Sequence, residues 1–494
     1  MATNNGTVKH DKQLGSKQKA LRINLDSRIY GSFAEIGAGQ DTAAQFFKAG
    51  GASGTIAKTM SAYDMTFSDE IYGPEPGGRY VVESRLSKML KHEYDLCEMR
   101  LSEQRGADTL FFAFANTVVA LNYQKTNEAH GWIGLRFQLR PLAVYNEVII
   151  HVKMLDNDSG LQQQALGVIG VNLMYGCFYY HQSPETLLIS LLDDLGTDRI
   201  QIDMIRLQGP DFAHVDNRLM SLYLVKHNFT EIAMFAPNGN VLQPSEALYK
   251  KNILLLRGRL RPIANVHMDM LRTGLESFKA EPDVDSNKLV MVAELTLQNL
   301  RARGESDIDE KDFLDRVDIL CSLGETVMIS NYEEYHRLVS YLSKLTRLKI
   351  GLILGIPNLQ YIFEEDYYAT LPGGILESFS TLFSRKVKLF VYPTLKDGKL
   401  YNCQNFELPD HLKPLFQYLL QNDKIQDIQD FNETNLHIST DRVLELIKRG
   451  EPGWEEQVPV EVAQMIKDKC LFGYPCVVFE PKQVNQIHQA VGNL

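Results

Sequence analysis

TVMISNYEEYHRLVSYLSKLTRLKIGLIL, residues 326–354, reads as strand, helix and strand in direct succession. Thr326–Ser330 is a short apolar run, Glu333–Leu345 is longer and amphipathic, and Lys349–Leu354 is apolar again. A helix near Ile375–Phe383 and a strand at Val387–Tyr392 continue the pattern. Short apolar runs alternating with amphipathic ones are what parallel strands joined by right-handed helical crossovers require. The same logic holds upstream, with strands at Ile200–Leu207, Glu231–Ala236 and Ile253–Leu256 separated by helices around Asn217–Lys226 and Glu246–Lys250. Leu110–Ala115, Trp132–Leu139 and Val148–Val152 are strand-like, the second alternating through Ile133, Leu135, Phe137 and Leu139. Arg28–Arg105 reads mostly helical, and the chain after Pro393 is helical with short connections.

The fold class is therefore α/β: a helical N-terminal region, two βαβαβ units with mainly parallel sheets, and a helical C-terminal region. The expected divisions are a disordered basic arm (1–22), a helical and mixed-sheet region (23–160), a first α/β unit (161–280), a second, Rossmann-like unit (281–395) and the helical end (396–494). A chain of 494 residues exceeds what one hydrophobic core serves.

Composition narrows the function classes. With 62 acidic against 51 basic residues and a net charge of -11, the chain is a poor partner for nucleic acid. Lys9, Lys12, Lys17, Lys19 and Arg22 precede no apolar core, so they make no secretory signal. Ser159–Pro184 lacks charged residues but carries Gln162, Gln163, Gln164, Asn172 and His181, and so reads as a buried core helix rather than a membrane span. Cys97, Cys177, Cys321, Cys403, Cys470 and Cys476 show no CxxC spacing, which reads as reduced thiols in a cytoplasmic protein.

Four stretches are candidate sites. Arg257, Arg259 and Arg261 follow the strand Ile253–Leu256; in an extended chain they share one side at a strand's carboxyl end, where open α/β sheets place ligands. Ser330-Asn331, Gly355-Ile356-Pro357-Asn358 and Gly373-Gly374 stand at successive strand ends or helix starts, as a switch-point pocket requires. Each is also ordinary turn chemistry. Asp203 lies inside an apolar strand, and a buried carboxylate needs a partner, here expected to be Arg218 or one of the three arginines. A secondary candidate is the glycine-rich stretch with Gly51, Ser53, Gly54 and Lys58, whose backbone could cradle phosphate, although Ala57 stands where a phosphate-binding loop has Gly, and tight packing explains the same letters. His92-Glu93 and His267 lack the further ligands a zinc site needs, and no Gly-x-Ser-x-Gly elbow occurs. No metal is expected.

At GGASGTIAKTMSAYDM (50–65), ESRLSKMLKHE (83–93), HGWIGLRFQ (130–138), Arg199–Pro210 and GGILESF (373–379) the chain resembles a group of bacterial cytoplasmic proteins of similar length. The resemblance covers nearly everything from about Leu21, and it implies either a nicotinamide- or nicotinate-nucleotide adenylyltransferase or a TonB-dependent receptor. The adenylyltransferase pattern Gly-x-Phe-x-Pro-x-His-x-Gly-His has its nearest counterpart in GSFAEIGAGQ (31–40), which keeps Gly31 and Phe33 and holds no His. Of the later Ile-Ser-Ser-Thr-x-x-Arg pattern only Ile329-Ser330 is kept. A receptor would bring a signal peptide and barrel strands, which the sequence lacks.

Two functional readings stand side by side. One is a cytoplasmic enzyme or enzyme-like protein, transferase-like, that binds a phosphorylated small molecule of the nucleotide kind. The other is a non-catalytic assembly or regulatory protein, a homo-oligomer included, that uses the same surfaces as interfaces.

Overall fold

The computed structural model describes residues 14–301, 305, 307–383 and 386–476. They form two compact units, one running to Tyr249 and including Met328–Tyr332, the other comprising Lys250–Val327 and the chain from Glu333. The α/β class expected from the alternation holds in both.

In the first unit, β1 (Ile29–Gly37), β2 (Ile56–Ala62), β3 (Leu110–Val119), β4 (His130–Phe137), β5 (Asn146–Met154) and β6 (Ile200–Gln208) form one sheet in the order β2-β1-β3-β4-β5-β6. β1 runs parallel to β2 and β3, and the ladder from β3 to β6 is antiparallel. Alternating side chains serve two cores. Phe33, Phe112, Phe114, Ile133 and Ile150 pack with Phe46 and with Leu166 and Ile169 of the helix Ser159–Tyr179. Ala34, Ala115, Trp132, Ile149 and Met204 face Leu86, Met89 and Leu90 of the helix Glu83–Arg105. β7 (Ile232–Phe235) and β8 (Val241–Leu242) close this part of the chain as an antiparallel hairpin.

β1 and β2 lie in the stretch read as mostly helical. The glycines that obscured them serve strand packing: a Cβ on Gly31 would stand 1.9 Å from the Phe112 carbonyl oxygen, so only glycine lets β1 approach β3 there. Residues 1–13 of the basic arm lie outside the described residues, but Ser16–Asn24 is a helix. Lys19 is buried and donates to Asn172 Oδ1 at 2.8 Å and Asp193 Oδ2 at 2.5 Å, and Arg22 donates to Tyr175 Oη at 2.6 Å. The basic residues thus anchor on the uncharged helix, which is buried along most of its length as its polarity implied.

In the second unit, β9 (Asn252–Arg257) and β10 (Leu289–Thr296) come first in the chain, and β11 (Thr326–Ser330) begins here and ends among the residues of the first unit. β12 (Ile350–Gly355), β13 (Val387–Tyr392) and β16 (Ile425–Asp427) follow, with a small hairpin of β14 (Thr394–Lys396) and β15 (Lys399–Tyr401) between the last two. The order β16-β13-β12-β9-β10 is parallel throughout. β9 is the earliest strand and has β10 on one side and β12 on the other, so the direction of winding reverses between β9 and β12. Such a switch point leaves a crevice at the strands' carboxyl ends, because the crossover helices diverge to opposite faces.

The helical C-terminal part ends with Val460–Lys469 and a bond between Cys470 and Cys476. This corrects the reading of six reduced thiols: Cys470 takes a left-handed conformation at φ 55°, the chain folds back, and the two Cα atoms come within 5.8 Å. Cys97, Cys177, Cys321 and Cys403 are buried and lie outside that bond. Among the described residues no helix is long and apolar enough to cross a membrane, and no three His, Cys, Asp or Glu side chains are grouped to hold a metal.

Candidate functional site

The carboxyl ends of β9, β10 and β12 open into a cleft of about 530 Å³ in the second unit. Arg257, the last residue of β9, is buried at its base. Its Nε and Nη2 donate to the two Glu294 carboxylate oxygens at 2.9 Å each, a two-point pairing across neighbouring strands in register. Nη1 donates to the Glu333 carbonyl at 2.6 Å, and the guanidinium lies 4.3 Å from the centre of the Tyr335 ring. Burial works against the charge on Arg257, but Glu294 outweighs it and the pKa is raised.

Arg259 differs completely. Gly258 and the left-handed Leu260, at φ 46°, turn the chain, so the three arginines do not share a side. Arg259 is exposed and lines the cleft, and its guanidinium has no hydrogen bond or ion pair among the described residues. Its carbonyl is held by Arg316 Nη1 at 3.2 Å. Arg261 turns to Asp312, with Nε 2.5 Å from Oδ1, and Asp312 also pairs with Arg316. One arginine is thus internal, one brace holds the loop, and one cation faces the cleft.

The remaining lining is polar and aromatic. Gln298 and Asn299 follow β10, and Asn358 follows β12. Tyr361 and Tyr367 are 56% and 38% exposed, while Tyr335 is buried, with Asn358 beside its hydroxyl and its pKa pushed up to about 12 by burial.

Of the residues singled out in the sequence, Arg257, Arg259 and Asn358 line this cleft. Gly373 and Gly374 also belong to the second unit, but the Gly373 N–H donates to Glu377 Oε2 at 2.8 Å and Gly374 turns the chain at φ 54° into the helix Gly374–Leu382. Their own Glu377 already occupies the place an anion would take. Ser330 and Asn331 fall in the first unit, where the Asn331 N–H donates to the Glu231 carbonyl at 2.9 Å. Gly51 is a left-handed turn, Ser53 and Gly54 form a short helical turn, and Lys58 on β2 pairs with the buried Glu93 at 2.6 Å. Asp203 on β6 does not meet Arg218, which pairs with Asp216. Its partners are His151, 2.5 Å away, and Gln243, 3.1 Å away. Gln298, Asn299 and the tyrosines carry no motif, and only the strand order brings them to one edge.

No family model matches the chain, and no curated protein matches it. Neither the adenylyltransferase nor the receptor reading gains a match. Solved structures with partial likeness include a competence-damaged (CinA) superfamily protein from Klebsiella pneumoniae, 12% identical over 34% of this chain and 99% of that chain, with a TM-score of 0.25. A protein of the same superfamily from Enterobacter cloacae is 13% identical over 36% of this chain and 95% of its own, with a TM-score of 0.24. The competence/damage-inducible protein CihA from Agrobacterium tumefaciens is 18% identical over 37% and 98%, with a TM-score of 0.23. Scores this low carry no functional argument, and the site rests on its own geometry.

Proposed function

We propose that the second unit binds a small phosphorylated molecule of the nucleotide class at the β9/β12 switch point. The observation that carries this reading is Arg259, a guanidinium without a hydrogen bond or ion pair among the described residues, facing a cleft at the edge where open parallel sheets hold ligands. Arg259 takes the phosphate, and Arg257, neutralised by Glu294, shapes the floor beneath it. The rings of Tyr361 and Tyr367 offer faces for a base, and the amides of Gln298, Asn299 and Asn358 offer donors and acceptors for its edge or for ribose hydroxyls. Transferase-like chemistry would use the same cation to hold the anionic group in line for attack.

Calorimetric titration of the full chain with ADP, adenosine and inorganic phosphate tests the reading. ADP should bind more tightly than adenosine. Arg259→Ala should weaken ADP about 10- to 100-fold, the worth of a charge-assisted hydrogen bond, while the unfolding midpoint stays put. Equal affinity for ADP and adenosine, or an unchanged ADP affinity in the variant, would sink it.

A further inference from the structure

A second constellation lies in the first unit. Asp203 is buried on β6, and its Oδ1 stands 2.5 Å from His151 Nδ1 on β5. His151 Nε2 stands 3.1 Å from His130 Nδ1 on β4. Three neighbouring strands thus line up a carboxylate and two imidazoles in one chain of hydrogen bonds. Gln243 Nε2 donates to Asp203 Oδ2 at 3.1 Å, Lys153 Nζ is 3.5 Å from the same oxygen, and the Trp132 ring packs 4.8 Å from His151. His130 ends the chain at a cavity of about 210 Å³, whose wall also holds Arg79, Lys153, Glu128, Glu246 and Tyr249.

The network fixes where the protons sit. Burial opposes ionisation of Asp203, but the charge of Lys153 and the hydrogen bonds from His151 and Gln243 hold its carboxyl well below the usual carboxylate range. Asp203 is therefore an acceptor only, and His151 must present Nδ1–H to it. A neutral His151 then keeps its lone pair on Nε2, and His130 faces it with its own Nδ1–H. Nothing remains on His130 Nε2 but a lone pair, and no hydrogen bond engages it among the described residues.

We propose that this cavity is a proton-transfer site in which His130 Nε2 accepts a proton from a small molecule whose conjugate base is an oxyanion, held beside Lys153 and Arg79. The balance closes within the chain. The substrate X–H bond breaks as Nε2–H forms on His130; the His130 Nδ1–H bond breaks as Nε2–H forms on His151. The products are X⁻ and a His151 imidazolium paired with the Asp203 carboxylate. His130 itself resists a lasting charge, because burial pushes its pKa down to about 4. It hands the proton on to His151, the imidazole of the two that has a carboxylate beside it. His130 is the catalytic residue, and His151 and Asp203 are positioning residues that set its tautomer.

The test uses the full chain and needs no natural substrate. Nitrogen NMR of ring-labelled histidine near neutral pH should show His130 and His151 both protonated at Nδ1 and bare at Nε2. Diethylpyrocarbonate, which attacks bare imidazole nitrogen, should then modify His130. Asp203→Asn should reverse both tautomers. Gln243 donates to the Oδ2 position and the Lys153 ammonium stands 3.5 Å from it, so the new amide nitrogen belongs at Oδ1, where it donates to His151 Nδ1. His151 then donates from Nε2, and His130 is left protonated at Nε2. Modification of His130 should slow at least about 10-fold, in keeping with the large losses that a wrong histidine tautomer causes in catalysis, and its pH profile should shift. A His130 protonated at Nε2 in the unmodified chain overturns the proposal whether or not the variant folds. So does unchanged reactivity in a folded Asp203→Asn.

Discussion

β1 and β9 occupy the same topological position, each with a parallel strand on both sides, and each carries a buried charged residue at or near its carboxyl end. On β1 this is Glu35, two residues before the strand ends at Gly37. Its Oε1 accepts from the Thr42 N–H at 2.9 Å and from Asn116 Nδ2 at 3.3 Å, and its Oε2 from the Ala43 N–H at 3.4 Å. The carboxylate occupies the N-terminus of the helix Thr42–Ala49, the place a bound anion would take. At the end of β9 stands Arg257, neutralised by Glu294 on the next strand, and two residues on Arg259 faces an open cleft. The strand-end rule says where a site can form. Whether one forms depends on whether the protein's own groups already satisfy that edge.

The largest test of this contrast is Arg257→Ala. It leaves the Glu294 carboxylate buried without its two-point partner, which should cost about 3–5 kcal/mol in urea unfolding. If the loss matches that of an exposed arginine, Arg257 is not the internal element we describe. At the other edge, burial outweighs the amide hydrogen bonds and pushes the Glu35 pKa up to about 7. The folded state therefore holds its proton more tightly than the unfolded chain does. The stability from this group is full below about pH 4.5 and is lost as pH rises through about 7, by something on the order of 3 kcal/mol. Glu35→Gln should remove that part of the decline. Glu325, also pushed up to about 7 by burial, leaves a residual slope of the same sign. Gly31→Ala should cost about 1–3 kcal/mol, since its Cβ would meet the Phe112 carbonyl oxygen and β1 would have to part from β3.

The parallel alternation of the second unit was legible where a strand is a buried apolar run, such as ILLL at 253–256 or LFVY at 389–392. β1 was hidden because its glycines resemble loop letters. Arg257 and Arg259 could be singled out by position, but their different fates could not. Glu294 becomes the partner of Arg257 through the register of β9 against β10, and register across a crossover is not written locally. Asp203 needed a partner on electrostatic grounds. Which partner was decided by strand neighbours, His151 lying across from Met204 beside a register shift in the β5/β6 ladder.

The smallest expected effect sharpens the contrast most. Arg259 alone would hold any phosphate, so a cleft that reads nucleotides must add something that inorganic phosphate cannot feel. Tyr361 is more than half exposed at the cleft wall, and an aromatic face contributes about 0.5–1.5 kcal/mol when it meets a planar ring. Tyr361→Leu keeps an apolar side chain and removes the face. It should weaken ADP by roughly 2- to 10-fold and leave inorganic phosphate unchanged, both read by calorimetry. Equal weakening of the two would place Tyr361 in the frame of the cleft. No change in either would leave Arg259 in a plain anion site, open for the reason given but without a reader for the base.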